Sequence, residues 1–426
     1  MTTLGVPAWR PVLSGDEAAA ARRAVADIAA ALARSIAEGA AAAALAPDRS
    51  PPGYDLADGA SGVALLFGYL ARVTGDAGHR DAAAALLDEA GDHLARAPSS
   101  PSLFHGFPGV AWAADHLRGV LGERDLALND DIDIAVDAAL GSPACAALGF
   151  DVVSGVAGLG VYALERAGRP LADRCADRVV VQLAETARRA PGGLVWIAPG
   201  RPGRPGRPEQ IDLGLAHGIP GVIALLARYA RVCGTGRAGV TARGLLEGAV
   251  TWLLAQRRAG GFPPHVVAAP ADRSDRSARP GRSGWCYGDA AIGLALIQAS
   301  RAGDPAWFDA GLQIARAAAA RPADQTGVCD AGLCHGAAAL ALIYLRLAHA
   351  TGDATLRAAA RDWALRILDH RSTHPDLAAT AGFFQATRGA PIAASGLMNG
   401  AAGAGLVLLA AASDVTPDWD RALLLA

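Results

Sequence analysis

An all-α fold, in which seven buried helices form a ring inside seven half-exposed ones, is what the sequence predicts. Three observations carry that prediction. The composition is alanine-rich and poor in strand-forming residues, a glycine-led motif recurs seven times, and amphipathic segments alternate with it. Alanine gives up almost no side-chain entropy on entering a helix, so such a composition favours helices over sheets.

The repeat organises the whole chain. Each copy opens on a glycine, most carry a second glycine three residues later, and an apolar helical run follows. The copies read DGASGVALLFGYL from Asp58, HGFPGVAWAADHL from His105, SGVAGLGVYAL from Ser154 and HGIPGVIALLARY from His217. Two degenerate copies follow, YGDAAIGLALIQA from Tyr287 and HGAAALALIYL from His335, and the last is NGAAGAGLVLLAAA from Asn399. Their leading glycines lie about 47 to 70 residues apart, which leaves room for two helices per repeat.

The run after the glycines is apolar on all sides, as in a helix buried all round. Between the runs lie segments such as DAAAALLDEAGDHLARA, TARGLLEGAVTWLLAQRR and DATLRAAARDWALRILDHR, apolar at three- and four-residue intervals. These predict helices with one face on a core. Length alone would suggest two or three domains, but a closed ring lets residues 1–426 form one domain. Helix starts gathered at one end of such a ring would point free N–H groups and positive dipole ends into a common cavity.

Charge and cysteine usage narrow the function. The formal charge of −2 argues against a nucleic-acid binder that works by bulk attraction. Every basic side chain is arginine, which reads as coding bias rather than chemistry. The six cysteines are too scattered for a small disulfide scaffold, so they are expected to be free thiols or metal ligands. No basic start followed by an apolar run marks a signal peptide. Charged residues and glycines break every apolar stretch before the roughly 18 residues of a membrane span. A soluble cytoplasmic protein is expected. Two stretches rich in Pro, Gly and Arg, 191–210 and 259–281, cannot be helical throughout and are expected to rim the cavity.

The residue before each leading glycine varies: Asp58, His105, Ser154, His217, Tyr287, His335 and Asn399. In a closed ring these seven positions lie near one another. The fifth and sixth copies add cysteines in equivalent places, Cys286 and Cys334. With His335 they make a soft sulfur–sulfur–nitrogen set suited to Zn²⁺, and three protein ligands leave a fourth position open, as in a catalytic site. Cys329 is an alternative ligand outside the repeat register. Cys145, Cys175 and Cys233 read as packing or incidental thiols.

These motifs together resemble the lanthionine synthetase C-like cyclases along nearly the whole chain. The matching stretches are SLFHGFPGVA, FDVVSGVAGLG, DLGLAHGIPGVIALL, GWCYGDAAIG, GLCHGAAALAL and GLMNGAAGAGLVLL. The resemblance implies a seven-plus-seven α/α toroid with zinc at the mouth of its inner barrel, held by Cys286, Cys334 and His335. It also implies that His217 and Asp151 act as acid–base residues and that Arg282 and Tyr287 line the site. The glycine usual three residues into the fifth and sixth motifs is replaced by Ala291 and Ala339. Asp212 stands where asparagine is common. These departures concern packing more than chemistry.

The implied reaction joins a cysteine thiol of a dehydrated, leader-bearing precursor peptide to a dehydroalanine or dehydrobutyrine of the same peptide, closing a thioether ring. Arg282 is the candidate cation for the enolate oxygen and His217, tuned by Asp151, the candidate proton donor. No dehydratase-like segment flanks the repeats, so a separate dehydratase, and an exporter in the same assembly, are expected partners. The rival on the same scaffold is a LanC-like protein that binds glutathione or adds it to dehydrated side chains. A toroidal glycosidase or terpenoid cyclase needs acidic clusters, whereas the register positions supply only Asp58. A helical repeat without activity leaves the Cys-Cys-His set unexplained.

Overall fold

The structure, a computed structural model, describes residues 8–45, 53–122, 128–197, 209–267 and 281–426. Fourteen α-helices are found among them, and the two predicted kinds alternate. The half-exposed ones are α1 (Gly15–Leu45), α3 (Ala77–Arg96), α5 (Asp130–Gly141), α7 (Pro170–Thr186), α9 (Gly236–Leu254), α11 (Ala306–Ala319) and α13 (Ala354–Asp369). The buried ones are α2 (Ala60–Thr74), α4 (Phe107–Leu121), α6 (Val156–Glu165), α8 (Ile219–Val232), α10 (Asp289–Ser300), α12 (Ala337–Thr351) and α14 (Ala401–Ala412).

Each buried helix starts on the residue after a leading glycine. Helix α14 buries all of Ala401–Ala412, whereas α13 buries only Leu356, Ala360, Trp363, Ala364 and Ile367, one stripe at helical spacing. The second glycine of the motif has a packing reason. A Cβ on Gly62 would stand 2.9 Å from the Leu397 side chain, and one on Gly158 would stand 2.9 Å from Leu103. Leu397 leads into α14 and Leu103 into α4. Each glycine therefore receives a side chain from the loop that enters the preceding buried helix, and any larger residue would push that loop away.

The helices fall into two compact units. The first comprises 1–90, 120–122 and 329–419. In it α14 packs on both α12 and α2, α13 backs α12, and α1 lies along α14 and α13. The last buried helix thus touches the first. The second unit comprises 91–119, 123–328 and 420–426. Here α6, α8 and α10 neighbour one another in chain order, backed by α7, α9 and α11, and α7 also packs on α5 and α9.

Two features anchor the second unit. Arg166, fully buried, donates to both oxygens of Asp133 at 2.7 and 2.9 Å, to Asp115 at 2.8 Å and to the Leu128 carbonyl at 2.7 Å. Residues 420–426 are drawn into the interior, where the carbonyls of Leu423 and Leu424 accept from Trp285 Nε1 and Gln298 Nε2.

Short strands, absent from the all-helical expectation, occupy the described ends of the two Pro- and Gly-rich stretches. Strand β1 (Arg188–Ala190) pairs antiparallel with β2 (Gly193–Val195), and β3 (Gln210–Asp212) with β4 (His265–Val267). Residues 198–208 and 268–280 of those stretches lie outside the described residues. No helix among the described residues is long and apolar enough to cross a membrane.

Candidate active site

The side chains singled out from the sequence sit on the loops that enter the buried helices. Asp151 lies on the loop into α6. Its Oδ1 accepts the backbone N–H groups of Ser154 and Gly155 at 2.7 and 2.9 Å, fixing the turn. Its Oδ2 stands 2.8 Å from Nδ1 of His217, the residue before the leading glycine of α8. One carboxylate thus shapes a helix start and orients an imidazole.

The hydrogen bond to Asp151 raises the His217 pKa above its ordinary value; burial opposes the rise, and the charges of Asp151, Asp212 and Cys286 add to it. Protonated His217 therefore persists to higher pH than a free imidazole, which suits a proton donor near neutrality. If His217 donates a proton in the slow step of a reaction at this site, the rate falls as pH rises through this raised pKa. Asp151→Asn weakens the support for the imidazolium and is expected to move that fall to lower pH, read from a pH–rate profile. An unmoved profile would remove His217 from the proton-transfer step.

Tyr287 and Cys286 lie on the loop into α10. Cys286 is buried at 7% exposure. The Tyr287 hydroxyl donates to Asp212 Oδ2 at 2.6 Å. Burial, then the neighbouring carboxylate, push the phenol pKa up, while Arg282 opposes the rise. Arg282 is exposed, but its backbone is clamped on both sides. Arg321 donates to the Gly281 carbonyl at 3.3 Å and to Ser283 Oγ at 3.1 Å, and Ser283 N–H donates to the Thr326 carbonyl at 2.8 Å. Arg321 also pairs with Asp289 at 3.1 Å, and Asp289 accepts from Phe262 N–H at 3.0 Å. The Asp289–Arg321 pair therefore ties residue 262 to residues 281 and 283, at the two ends of the second Pro- and Gly-rich stretch.

Cys334 and His335 occupy the loop into α12. Cys334 N–H donates to the Met398 carbonyl at 2.8 Å. Upstream, buried Asp330 accepts from Gly332 and Ala386 N–H, both at 2.9 Å. One group among the described residues offers three metal-ligating side chains: the ligand atoms of Cys286, Cys334 and His335 all lie within 4.8 Å of one another. An ion with bonds of about 2.0–2.3 Å can draw such a set together, and two thiols with an imidazole are donors that suit zinc. Cys329 is exposed and outside this group.

Sequence reasoning missed Asp289, Arg321 and Asp330, and noted Asp212 only as a departure. Asp55, Ser102 and Asp151 each stand four residues before a leading glycine and accept N–H groups of the turn, a spacing visible in the sequence. Arg321 carries no such signal, because its partners are distant in sequence.

Comparison with known proteins bears on the fold and the family. A search of the curated proteins finds no match. Among solved structures, nisin cyclase is similar over 92% of this chain and 97% of its own, at 19% identity and a TM-score of 0.70. The fold is thus shared with that protein, the α/α toroid. The family model described as lanthionine synthetase C-like protein matches residues 50–424, and the chain belongs to that family.

Proposed function

We propose that the protein is a zinc-dependent lanthipeptide cyclase. The observation that carries this reading is the Cys286, Cys334 and His335 group, in a chain whose family and fold are those of lanthionine-forming proteins. These three residues would hold the metal. Zinc at such a site supplies a Lewis acid that keeps a cysteine of the substrate peptide as thiolate, where a free thiol of pKa near 8.5 is mostly protonated at neutral pH.

The chain's own groups handle the rest. The thiolate sulfur forms a bond to the β-carbon of a dehydroalanine or dehydrobutyrine, and the electron pair of the alkene moves onto the adjacent carbonyl as an enolate. Arg282 offers its cation to that oxygen. His217, held by Asp151, returns a proton to the α-carbon. The thiol proton lost and the proton gained balance, so the product is an isomer of the substrate. Holding both ends of a flexible peptide loop together contributes on the order of several kcal/mol to the barrier reduction. The same reading calls for a dehydratase acting upstream, allows an exporter in the same assembly, and places the protein in the cytoplasm.

The test follows from the balance. Zinc-loaded protein incubated with a dehydrated cysteine-containing peptide is expected to leave its mass unchanged while abolishing thiol alkylation. Free thiols throughout, with glutathione added to the dehydroamino acid instead, would replace the cyclase reading with glutathione addition. His217→Ala is expected to retain zinc and slow ring closure; a zinc-free His217→Ala protein would overturn this division of roles.

A further inference from the structure

Beside the His217–Asp151 pair lies a second pair that the proposed chemistry does not require. The Tyr287 hydroxyl donates to Asp212 Oδ2 at 2.6 Å, and Asp212 Oδ1 accepts the Gly214 N–H at 2.8 Å. Both carboxylate oxygens are therefore engaged as acceptors. The loops that carry them are in backbone contact: a Cβ on Gly214 would stand 2.1 Å from the Cys286 carbonyl oxygen and 2.9 Å from the Tyr287 ring. Only glycine lets the Asp212–His217 segment lie this close to Cys286–Tyr287.

A phenol has one hydrogen to give and keeps acceptor positions on its oxygen. Here that hydrogen is committed to a carboxylate, in the stronger, charge-assisted kind of bond. What remains for a molecule arriving beside Cys286 is the lone-pair side of the oxygen. A peptide substrate brings a matching donor at nearly every residue, the backbone N–H.

We propose that Asp212 is a positioning residue that commits the Tyr287 proton, so that the Tyr287 oxygen accepts a backbone N–H of the peptide substrate. The inference rests on the cyclase reading and names a substrate contact within it. Tyr287 then contributes to binding the peptide rather than to protonating it. Asp212 acts only through Tyr287.

The experiment measures KM and kcat with zinc-loaded protein and a synthetic peptide holding one dehydroalanine and one cysteine. Wild type, Tyr287→Phe, Asp212→Ala, Asp212→Asn and the Asp212→Ala/Tyr287→Phe double variant are compared. Tyr287→Phe and Asp212→Ala are each expected to raise KM by about tenfold with kcat within about twofold, as when binding common to ground and transition states is removed. Asp212→Asn, whose amide oxygen can still accept the phenol proton, is expected to restore most of the loss. The double variant should match Tyr287→Phe alone, the mark of one residue acting through another. Metal content stays at the wild-type level throughout.

An unchanged KM in Tyr287→Phe, a fall in kcat in place of the KM change, or effects that multiply in the double variant would overturn the inference. Tyr287→Phe decides the matter even if Asp212→Ala fails to fold. A zinc-loaded wild type that leaves the peptide thiol free overturns the cyclase reading, and this inference with it. A wild type that closes the ring confines any failure to the role of Asp212 and Tyr287.

Discussion

Cys286→Ala protein is expected to contain no zinc and to leave every substrate thiol open to alkylation. The variant removes one of three ligand atoms that lie within 4.8 Å of one another, leaving Cys334 and His335. Two protein ligands fall short of the three that catalytic zinc sites use. Loss of an outer-shell partner alone costs about 10–100-fold in metal affinity or activity, so loss of a direct ligand should exceed that range. Alanine fits the buried position, and the surrounding loop stays fixed by Trp285 on the Leu423 carbonyl. The folded signal in circular dichroism should therefore persist while elemental analysis reads zero. Cys329→Ala is the matched control: that thiol is exposed, outside the metal-ligating group, and its removal should leave zinc at the wild-type level. Full zinc in Cys286→Ala with none in Cys329→Ala would exchange the two roles.

The second large effect is on stability. Arg166→Met is expected to destabilise the fold by about 3–5 kcal/mol, the cost of leaving a buried carboxylate without its partner. Arg166 is fully buried and Asp133 is 2% exposed. Their paired hydrogen bonds at 2.7 and 2.9 Å, with Tyr162 also donating to Asp133 at 2.8 Å, satisfy charges that water does not reach. Removing the guanidinium strands Asp133 and also frees the Leu128 carbonyl that it capped. The comparison is Arg174→Ala, whose ion pair with Asp137 is solvent-exposed on the arginine side and should contribute less than about 1 kcal/mol. Urea denaturation of the two variants reads the difference. Equal midpoints would show that the Arg166 cluster is dispensable.

Next to that cluster, burial would raise the Glu165 pKa, but His116, Arg421 and Arg228 hold it down at about 2. A carboxylate with a depressed folded-state pKa contributes stability that is full above its ordinary value near 4.5. That contribution is lost as pH falls towards 2.

Most of the helical architecture was legible because glycine and burial leave marks in sequence. Gly62 and Gly158 are conspicuous among alanines and leucines, and the structure shows the leucine side chains that require them. The alternation of all-buried α14 with single-stripe α13 is the alternation of apolar and amphipathic runs. In the site, Cys286, Cys334 and His335 were legible because they share a register in a repeat. Once the register is aligned, positions far apart in sequence become comparable.

Arg321 was not legible. It lies in the turn after α11, and its value comes from reaching Gly281, Ser283 and Asp289 some 32 to 40 residues away. Asp212 was visible only as an unusual residue, since its partner Tyr287 is 75 residues distant. Contacts of that kind depend on how loops meet, which neither periodicity nor composition encodes. The paired strands escaped because each is only three residues long, and β3 also finds its partner β4 more than 50 residues away.

The first compact unit has a consequence for how the chain comes to be folded. It unites residues 1–90 with 329–419, and its α2 is covered by α14. On the ribosome about 326 residues separate the end of α2 at Thr74 from the start of α14 at Ala401, a wait of roughly 16–65 s at synthesis rates of about 5–20 residues per second. Throughout it, the side of α2 destined for α14 has no native cover, and sequence-distant contacts of this kind form slowly even once both partners exist. Nascent chains stalled before α14 should accordingly need chaperone protection that the full-length protein does not.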